Sequence, residues 1–560
     1  MTNYNINQMN LSISTDWKPQ KNSPAILINQ VVEKLEINDP YITGRPREYD
    51  LRSLLKLILF AYTKGIFSSR RINELAEDSL SARWLTQEQA PSYRTICRFR
   101  ISDDAEKLIQ QSIINLNQYL RTNNYIDEIT FIDGTKILAD ANKYSFVWLK
   151  NTIRFDKMNR AAIIDILAEM KHARLQRQIP KGSDINLEML DEIIIRLENQ
   201  LTELNTQIKN EKPISPNPKK RKRRKIKALK NHLKQRRAKM ANYDKQNQIF
   251  KQRNSYSKTD HDATFMRCKE DPMRNGQLKP AYNLQIATSN QFVTGFGIYQ
   301  NPTDTRTLSS FLEQQSTDGT LGKYIVADAG YGSENNYRFI EDNLPNHIAI
   351  IPYSTMLREQ SRKWRSDDRK VMNWEYHEQD DYYIDPNGVR FNFNAYRKRT
   401  DKYGLTRDFK EYKAEVKNQN WNFVSKALTK RGHLRRINVN PAWEYYKAKQ
   451  RKLLSESETS SIYARRKIDV ESVFGHLKGY LKFTRFSVRG ISKVKREAGI
   501  VLMAMNIRKL ASLVANFLLL NVKMVLVGRN YYFFQQEPFI LRSYVTAPFA
   551  SELTMSMNFA

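Results

Sequence analysis

Three carboxylates stand in settings that suit a hard cation. Asp133 closes the apolar run of Thr130-Phe-Ile-Asp-Gly-Thr-Lys136, and Asp328 closes that of Tyr324-Ile-Val-Ala-Asp-Ala-Gly-Tyr-Gly332. Glu471 lies among cations in Tyr463-Ala-Arg-Arg-Lys-Ile-Asp-Val-Glu-Ser-Val-Phe-Gly-His-Leu-Lys478. Wound as a helix at about 100° per residue, Val470, Val473, Phe474, Leu477 and Leu481 share an apolar face, and Glu471, Gly475 and Lys478 line the next stripe. Two strand-end aspartates and a helical glutamate supply oxygen ligands for a divalent cation and suit phosphodiester chemistry. Each also has a plain reading: turn residues before Gly134 and Ala329-Gly330, and a surface glutamate paired with Lys467 or Lys478. Asp140, Asp260, Asp262 and Asp304 are alternative ligands, whereas His261, His377 and His476 lack metal-like partners.

The elements that must position these groups read as follows. Residues 1–44 are polar and are expected to be flexible. Residues 45–125 are helical: Leu51, Leu54, Leu55, Ile58 and Leu59 recur at helix spacing behind an Asp50 cap, Ile72, Leu75 and Ala76 mark a second helix, and Ser92 opens a third. Arg94, Arg98 and Arg100 on that third helix suit phosphate contacts. The first Asp strand falls in 126–149, and Trp148 beyond it is a packing residue or, less simply, a base-stacking one. Residues 150–255 form an inserted helical arm whose tract Lys219, Lys220, Arg221, Lys222, Arg223, Arg224, Lys225 stays basic to Lys239. Such a run repels itself unless it meets an anion, and phosphate backbone is the natural counterpart. Strand patterning returns over 256–353, with a hairpin around Ser289-Asn290, the Asp328 strand, a helix after Ser333 and a strand near His347 to Pro352. A second insertion, 354–455, carries a turn at Asp385-Pro-Asn-Gly388. Core helices with Glu471 occupy 456–515, and 516–560 form a tail. The order matches an α/β, RNase H-like core, a mixed five-stranded sheet with helices, interrupted by insertions and preceded by a helical domain.

Composition agrees with an anionic partner. The 560 residues carry a formal net charge of +33 with 40% apolar content, enough for several cores and strongly suited to a polyanion. Two cysteines, Cys97 and Cys268, suggest neither a disulfide framework nor a thiolate zinc site. No secretory leader pattern opens the chain, and the run Leu513 to Val527 is shorter than a membrane span requires.

These motifs, with Arg45-Pro-Arg-Glu-Tyr-Asp50, Asp260-His-Asp-Ala-Thr-Phe-Met-Arg267, Asn275 to Gln285 and Asn301-Pro-Thr-Asp-Thr-Arg306, resemble the DDE transposases of bacterial insertion sequences, most closely family eleven-eighty-two. The resemblance implies that Asp133, Asp328 and Glu471 are catalytic and hold two Mg²⁺ ions, with Mn²⁺ as a substitute. It also implies double-stranded DNA as partner, both terminal inverted repeats and target, a homodimer that synapses two ends, a cytoplasmic, nucleoid-associated location and no membrane. Relatives carry Tyr-x-x-Arg-x-x-x-Glu-x-x-x-x-x-x-Lys to grip phosphates. Here Lys478 keeps its spacing from Glu471, but Tyr463 and Arg466 lie eight and five residues before it. On a regular helix Arg466 points about 140° from Glu471, while Lys467 shares its face, so Lys467 is expected in the arginine's role. Zinc-binding cysteines seen in the second insertion of relatives are missing, so no zinc is expected. A metal-dependent endonuclease or resolvase, and an inert DNA-binding protein, are the competing readings.

Overall fold

In the computed structural model the described residues are 17–20, 22–35, 48–175, 184–211, 215–269, 275–417 and 423–527. The expectations for the tail beyond residue 527 and for the start of the Arg45 block lie outside them.

A mixed sheet holds the centre. Its strands are β1 (Ile129–Leu138), β2 (Thr264–Arg267), β3 (Leu278–Ser289), β4 (Phe292–Tyr299), β5 (Tyr324–Ala327) and β6 (Ile348–Ile350). β2 and β4 pair with one edge of β3, and β1, β5 and β6 follow across the sheet. The β4–β3 and β3–β1 pairings are antiparallel, and β1–β5 and β5–β6 are parallel. This order is consistent with an RNase H-like core. β1 is buried on both faces, as a central strand of such a sheet must be: Phe131 and Ile137 join the core shared with the Glu471 helix, Ser457–Gly475, and Ile132 packs under the helix Leu308–Thr317. The β3–β4 hairpin turns through Asn290 and Gln291 at φ 48° and 61°, the left-handed pair that matches strand twist.

The N-terminal helices include Leu51–Thr63, Ser69–Asp78, Tyr93–Arg100 and Asp103–Thr122. Asp50 caps the first by accepting from the Ser53 amide at 3.1 Å, and Ser92 caps the third by accepting from Thr95 at 3.3 Å. The expectation of a flexible 1–44 fails over Pro24–Glu33. That stretch is a helix, capped by Ser23 with proline in its first turn, and it buries Ala25, Ile28 and Val32, because three apolar groups at helical spacing find a shared core.

Arg100 corrects a second expectation. It is buried rather than offered to phosphate, and donates to Phe67 O (3.2 Å), Ser69 Oγ (3.2 Å), Ser487 Oγ (2.7 Å) and Glu497 Oε1 (2.5 Å). It ties the N-terminal helices to the long helix Ile491–Val527. Removing one partner leaves a buried charge alone, so Arg100→Ala should cost about 3–5 kcal/mol in a denaturant titration. Arg98→Ala, exposed on the same helix, should stay within about 0.5 kcal/mol. Equal midpoints would show that the buried pair ties nothing. Among the described residues the segment Ile491–Ala515 is long and apolar enough to cross a membrane, but 67% of its most apolar window is buried, as in a core helix.

The first insertion is held at its base by the antiparallel ribbon Phe146–Trp148 with Ser255–Ser257. Trp148 packs there against Phe146 and Phe265, with ring centres 5.9 and 6.1 Å apart. Beyond the ribbon, helices Leu149–His172, Leu187–Asn210 and Pro218–Phe250 pack through Ile163, Leu167, Leu190, Leu197, Ile226 and Leu233. The last helix is about 50 Å long. Its basic run meets anions within the arm: Lys219 pairs with Glu211, Lys225 with Glu169 at 4.0 Å, Lys230 with Glu198 at 3.4 Å and Arg237 with Asp191 at 2.5 Å. Part of the self-repulsion inferred from sequence is therefore answered internally.

The second insertion is an antiparallel sheet of β7 (Glu375–His377), β8 (Tyr382–Ile384), β9 (Arg390–Thr400), β10 (Thr406–Ala414) and β11 (Arg436–Val439), paired in the order β11-β10-β9-β8-β7. Trp374, Val389, Phe391 and Tyr412 form its core.

Candidate active site

Ile132 of β1 is the parallel partner of Ala327 of β5. The next residues, Asp133 and Asp328, therefore arrive at one level on strands about 4.8 Å apart. Asp133 Oδ1 accepts from the Gly134 amide at 2.7 Å, and Asp328 Oδ1 accepts from the Gly330 amide at 2.8 Å. Burial, and beyond it the charge of Asp328, push the Asp133 carboxyl up to about 6, against the opposing pull of the Gly134 amide, Arg466 and Lys269. Arg466 Nη1 lies 3.7 Å from Asp133 Oδ2, and its guanidinium sits 5.8 Å from the centre of the Tyr463 ring. Burial raises the Tyr463 hydroxyl, with the Asp328 charge acting in the same direction.

The raised Asp133 carboxyl has a stability consequence. A group that binds its proton more tightly when folded costs the fold nothing below about pH 3.8 and its full penalty above about pH 6. That penalty is at most about 3 kcal/mol. Asp133→Asn should accordingly raise the thermal midpoint of the metal-free protein at pH 8, with the gain fading towards pH 4. A lowered midpoint at pH 8 would mean that the carboxylate is already neutralised.

Gly134 faces the other side of β1, where an added Cβ would lie 2.2 Å from Gln285 Nε2. Any side chain there would have to push aside the buried Gln285 amide and the Asp304 carboxylate. On that side Asp304 Oδ1 accepts from Lys136 Nζ (2.9 Å), Asn283 Nδ2 (2.8 Å) and Gln285 Nε2 (2.9 Å), and the Tyr331 hydroxyl donates to Gln285. Asp304 thus braces the strand beneath the site. The other alternative ligands are engaged too: Asp140 with Arg485 and Arg489, Asp260 with the Tyr282 hydroxyl at 2.8 Å, and Asp262 with the Ile491 amide at 3.0 Å. Sequence reading missed Thr305 and Asn336. Thr305 Oγ1 donates to Gly330 O at 2.6 Å, and Asn336 Nδ2 donates to Thr305 O and Tyr331 O, so together they fix the Asp328 loop.

Glu471 stands on an exposed flank of its helix, while Val470 and Val473 are buried. Five residues separate it from Arg466, about 7.5 Å of helix axis and about 140° of turn. Among the described residues no group of three or more His, Cys, Asp or Glu side chains is placed to hold one metal ion. The structure brings together Asp133, Asp328, Arg466 and Tyr463, and it does not set Glu471 against them. Lys467 is exposed, so Arg466, and not Lys467 as the helical arithmetic anticipated, is the cation beside Asp133. The arithmetic measured both from Glu471, whereas the face that meets the strand ends is set by Tyr463, Arg466 and Val470. Arg466→Ala should therefore impair cleavage more than Lys467→Ala, and the reverse ranking would place the working face elsewhere. Lys478 Nζ donates to Lys136 O at 3.1 Å from a π-helical stretch, His476–Tyr480.

Two outlying basic surfaces complete the picture. Arg94 and Arg98 are exposed, and Arg70 joins Arg94 around the Tyr93 ring at 5.4 and 5.9 Å. On the arm Lys220, Arg221, Lys222, Arg224 and Lys225 are exposed, and Arg223 reaches Asn205 at 3.3 Å.

Asp328 lies just past the end of β5 as expected, whereas Asp133 sits midway along β1, which runs on to Leu138 against β3. A mixed sheet that sets the two at one level is consistent with an RNase H-like, DDE-type core. Residues 253–507 match the family model described as Transposase DDE domain, and residues 13–102 match the one described as Transposase domain (DUF772). The chain thus carries a transposase DDE domain and an N-terminal transposase domain. β1 and the arm precede the DDE match, although β1 pairs directly with β3 and β5 inside it. No curated protein matches the chain.

Proposed function

We propose that this protein is the transposase of a bacterial insertion sequence, which binds the element's terminal inverted repeats, cleaves phosphodiester bonds there and joins the freed 3′-OH to target DNA. The observation that carries this reading is the in-register pair Asp133 and Asp328 within a chain matched to transposase domains. DDE transposases typically use divalent metals, and the donor set suits one: two carboxylates stand side by side, and the Asp133 carboxyl stays raised by burial and by Asp328 even with Arg466 3.7 Å away. Asp133 and Asp328 would hold Mg²⁺ or Mn²⁺, which would supply an activated water or 3′-hydroxyl and stabilise the leaving oxygen; Glu471, which stands away from this pair, would serve as ligand to a second ion only on a rearrangement of its helix.

The protein's own residues do the remainder. Arg466 opposes the like charge at Asp133 and presents guanidinium donors to phosphate oxygens. Tyr463 seats that guanidinium, and Lys478 places a cation over β1. Arg94 and Arg98 face the end sequence, and the arm holds flanking backbone without reading bases. Two such chains, located at the bacterial nucleoid, would synapse two ends.

A second reading, an inert DNA-binding protein, is favoured by one observation, the exposed position of Glu471. Purified protein incubated in Mg²⁺ with a duplex carrying the repeats that flank its gene separates these readings. Cleaved and joined products support transposition. Cleavage without joining supports an endonuclease or resolvase, and binding alone supports the inert protein.

A further inference from the structure

The β9–β10 hairpin ends in the turn Asp401-Lys-Tyr-Gly-Leu405, and that tip is docked on the rim of the candidate site. The Arg306 guanidinium carbon lies 3.3 Å from the centre of the Tyr403 ring, and Lys402 Nζ lies 4.8 Å from the same centre. Arg407 reaches Glu334, only 4% exposed, at 3.2 Å and Asp401 at 3.6 Å. Inside the turn Asp401 Oδ1 accepts from the Tyr403 and Leu405 amides at 2.9 and 3.1 Å, and Gly404 takes φ 88°. The tip is therefore built rigidly.

From the tip the path to the carboxylates is short. Arg306 follows Thr305, whose hydroxyl bonds Gly330 O, and the Gly330 amide bonds Asp328. Charge is dense along the same route. Between Tyr396 and Arg407 the hairpin has Arg397, Lys398, Arg399, Lys402 and Arg407 against the single acid Asp401. Lys398, Arg399 and Lys402 are exposed.

We propose that this hairpin tip is a phosphate clamp, gripping the DNA backbone at the nucleotides that lie over Asp133 and Asp328. Tyr403 lies between two cations, so its ring organises charge instead of stacking a base. Compact ammonium and guanidinium groups held on a rigid turn beside a cleavage site suit backbone oxygens, which position a strand without reading its sequence. The inference rests on the proposed function for its DNA partner, and not on catalysis.

The test is photo-crosslinking of full-length protein to end-labelled duplex, with a photo-reactive phenylalanine analogue at Lys402 in one variant and at Ala329, beside Asp328, in another. Overlapping crosslinked nucleotides are expected. Separate nucleotides, or crosslinks from the Lys402 probe to protein alone, would overturn the clamp. A triple variant, Lys398→Gln, Arg399→Gln and Lys402→Gln, should also lower the slope of log affinity against log salt by about 2.7, with the thermal midpoint unchanged. A slope equal to wild type counts against it. Neither readout needs cleavage, so a protein that binds and never cuts would defeat the catalytic reading and leave the clamp judged on its own crosslinks.

Discussion

Asp133→Asn and Asp328→Asn should each reduce cleavage of end-containing DNA by at least roughly 10²–10³-fold, the loss that follows removal of one preorganised electrostatic group, while duplex affinity barely changes. Both carboxylates lie at one level on adjacent strands, and asparagine keeps the shape while removing the charge that a divalent cation needs. Binding draws instead on exposed lysines and arginines such as Arg94, Arg98 and Lys220 to Lys222. Glu471→Gln is expected to behave likewise, and it is the sharper test because Glu471 stands exposed on its helix. Single-turnover cleavage in Mg²⁺, alongside a filter-binding isotherm for each variant, reads both quantities. Near-wild-type cutting by any one variant removes that residue from the site.

Neutralising the arm should have the largest effect on affinity. Replacing Lys220, Arg221, Lys222, Arg223, Arg224 and Lys225 with glutamine should weaken binding to end-containing and random duplexes alike, by roughly 10²–10⁴-fold at about 0.1 M salt if three or four of them meet phosphates, and should flatten the salt slope. Lys219, Lys230 and Arg237 already face Glu211, Glu198 and Asp191, so replacing those three should matter less. Preference for the element's ends should persist, because it is assigned to the N-terminal helices bearing Arg94 and Arg98. A neutralised arm that lost discrimination while the salt slope held would show that the arm reads sequence.

The core was legible because its signals are local. Asp50 and Ser92 announce helix starts through capping, the β3–β4 hairpin follows from alternation around Ser289-Asn290, and β5 is an apolar run ending at Asp328. The relation of Asp133 to Asp328 also follows once both strands are drawn parallel and adjacent. What stayed hidden depends on contacts distant in sequence. Arg100 reads as one more helical cation until Glu497, almost four hundred residues away, closes on it. Pro24–Glu33 is a short apolar stretch inside a polar one, so it does not declare itself without the core it packs on. The β9–β10 hairpin carries charges on both faces, which erases the alternation that marks a half-buried strand, and the turn read in that insertion, Asp385-Pro-Asn-Gly388, joins β8 to β9 instead. Arg466 was misjudged because its angle was measured from Glu471, whereas packing of Val470 and Val473 fixes which face meets β1. Thr305 and Asn336 gave no signal, since their work is to bond backbone carbonyls of a loop.

Metal-dependent strand scission at the element boundary tests the central claim most directly. The purified full-length protein, the duplex with both flanking repeats and a sequencing ladder suffice. The account predicts new 3′-OH ends at the outer edge of each repeat in Mg²⁺ or Mn²⁺, none in chelator, and none with Asp133→Asn or Asp328→Asn. Scission that survives chelator, or wild-type protein that holds the duplex in Mg²⁺ and leaves both strands intact, would contradict it.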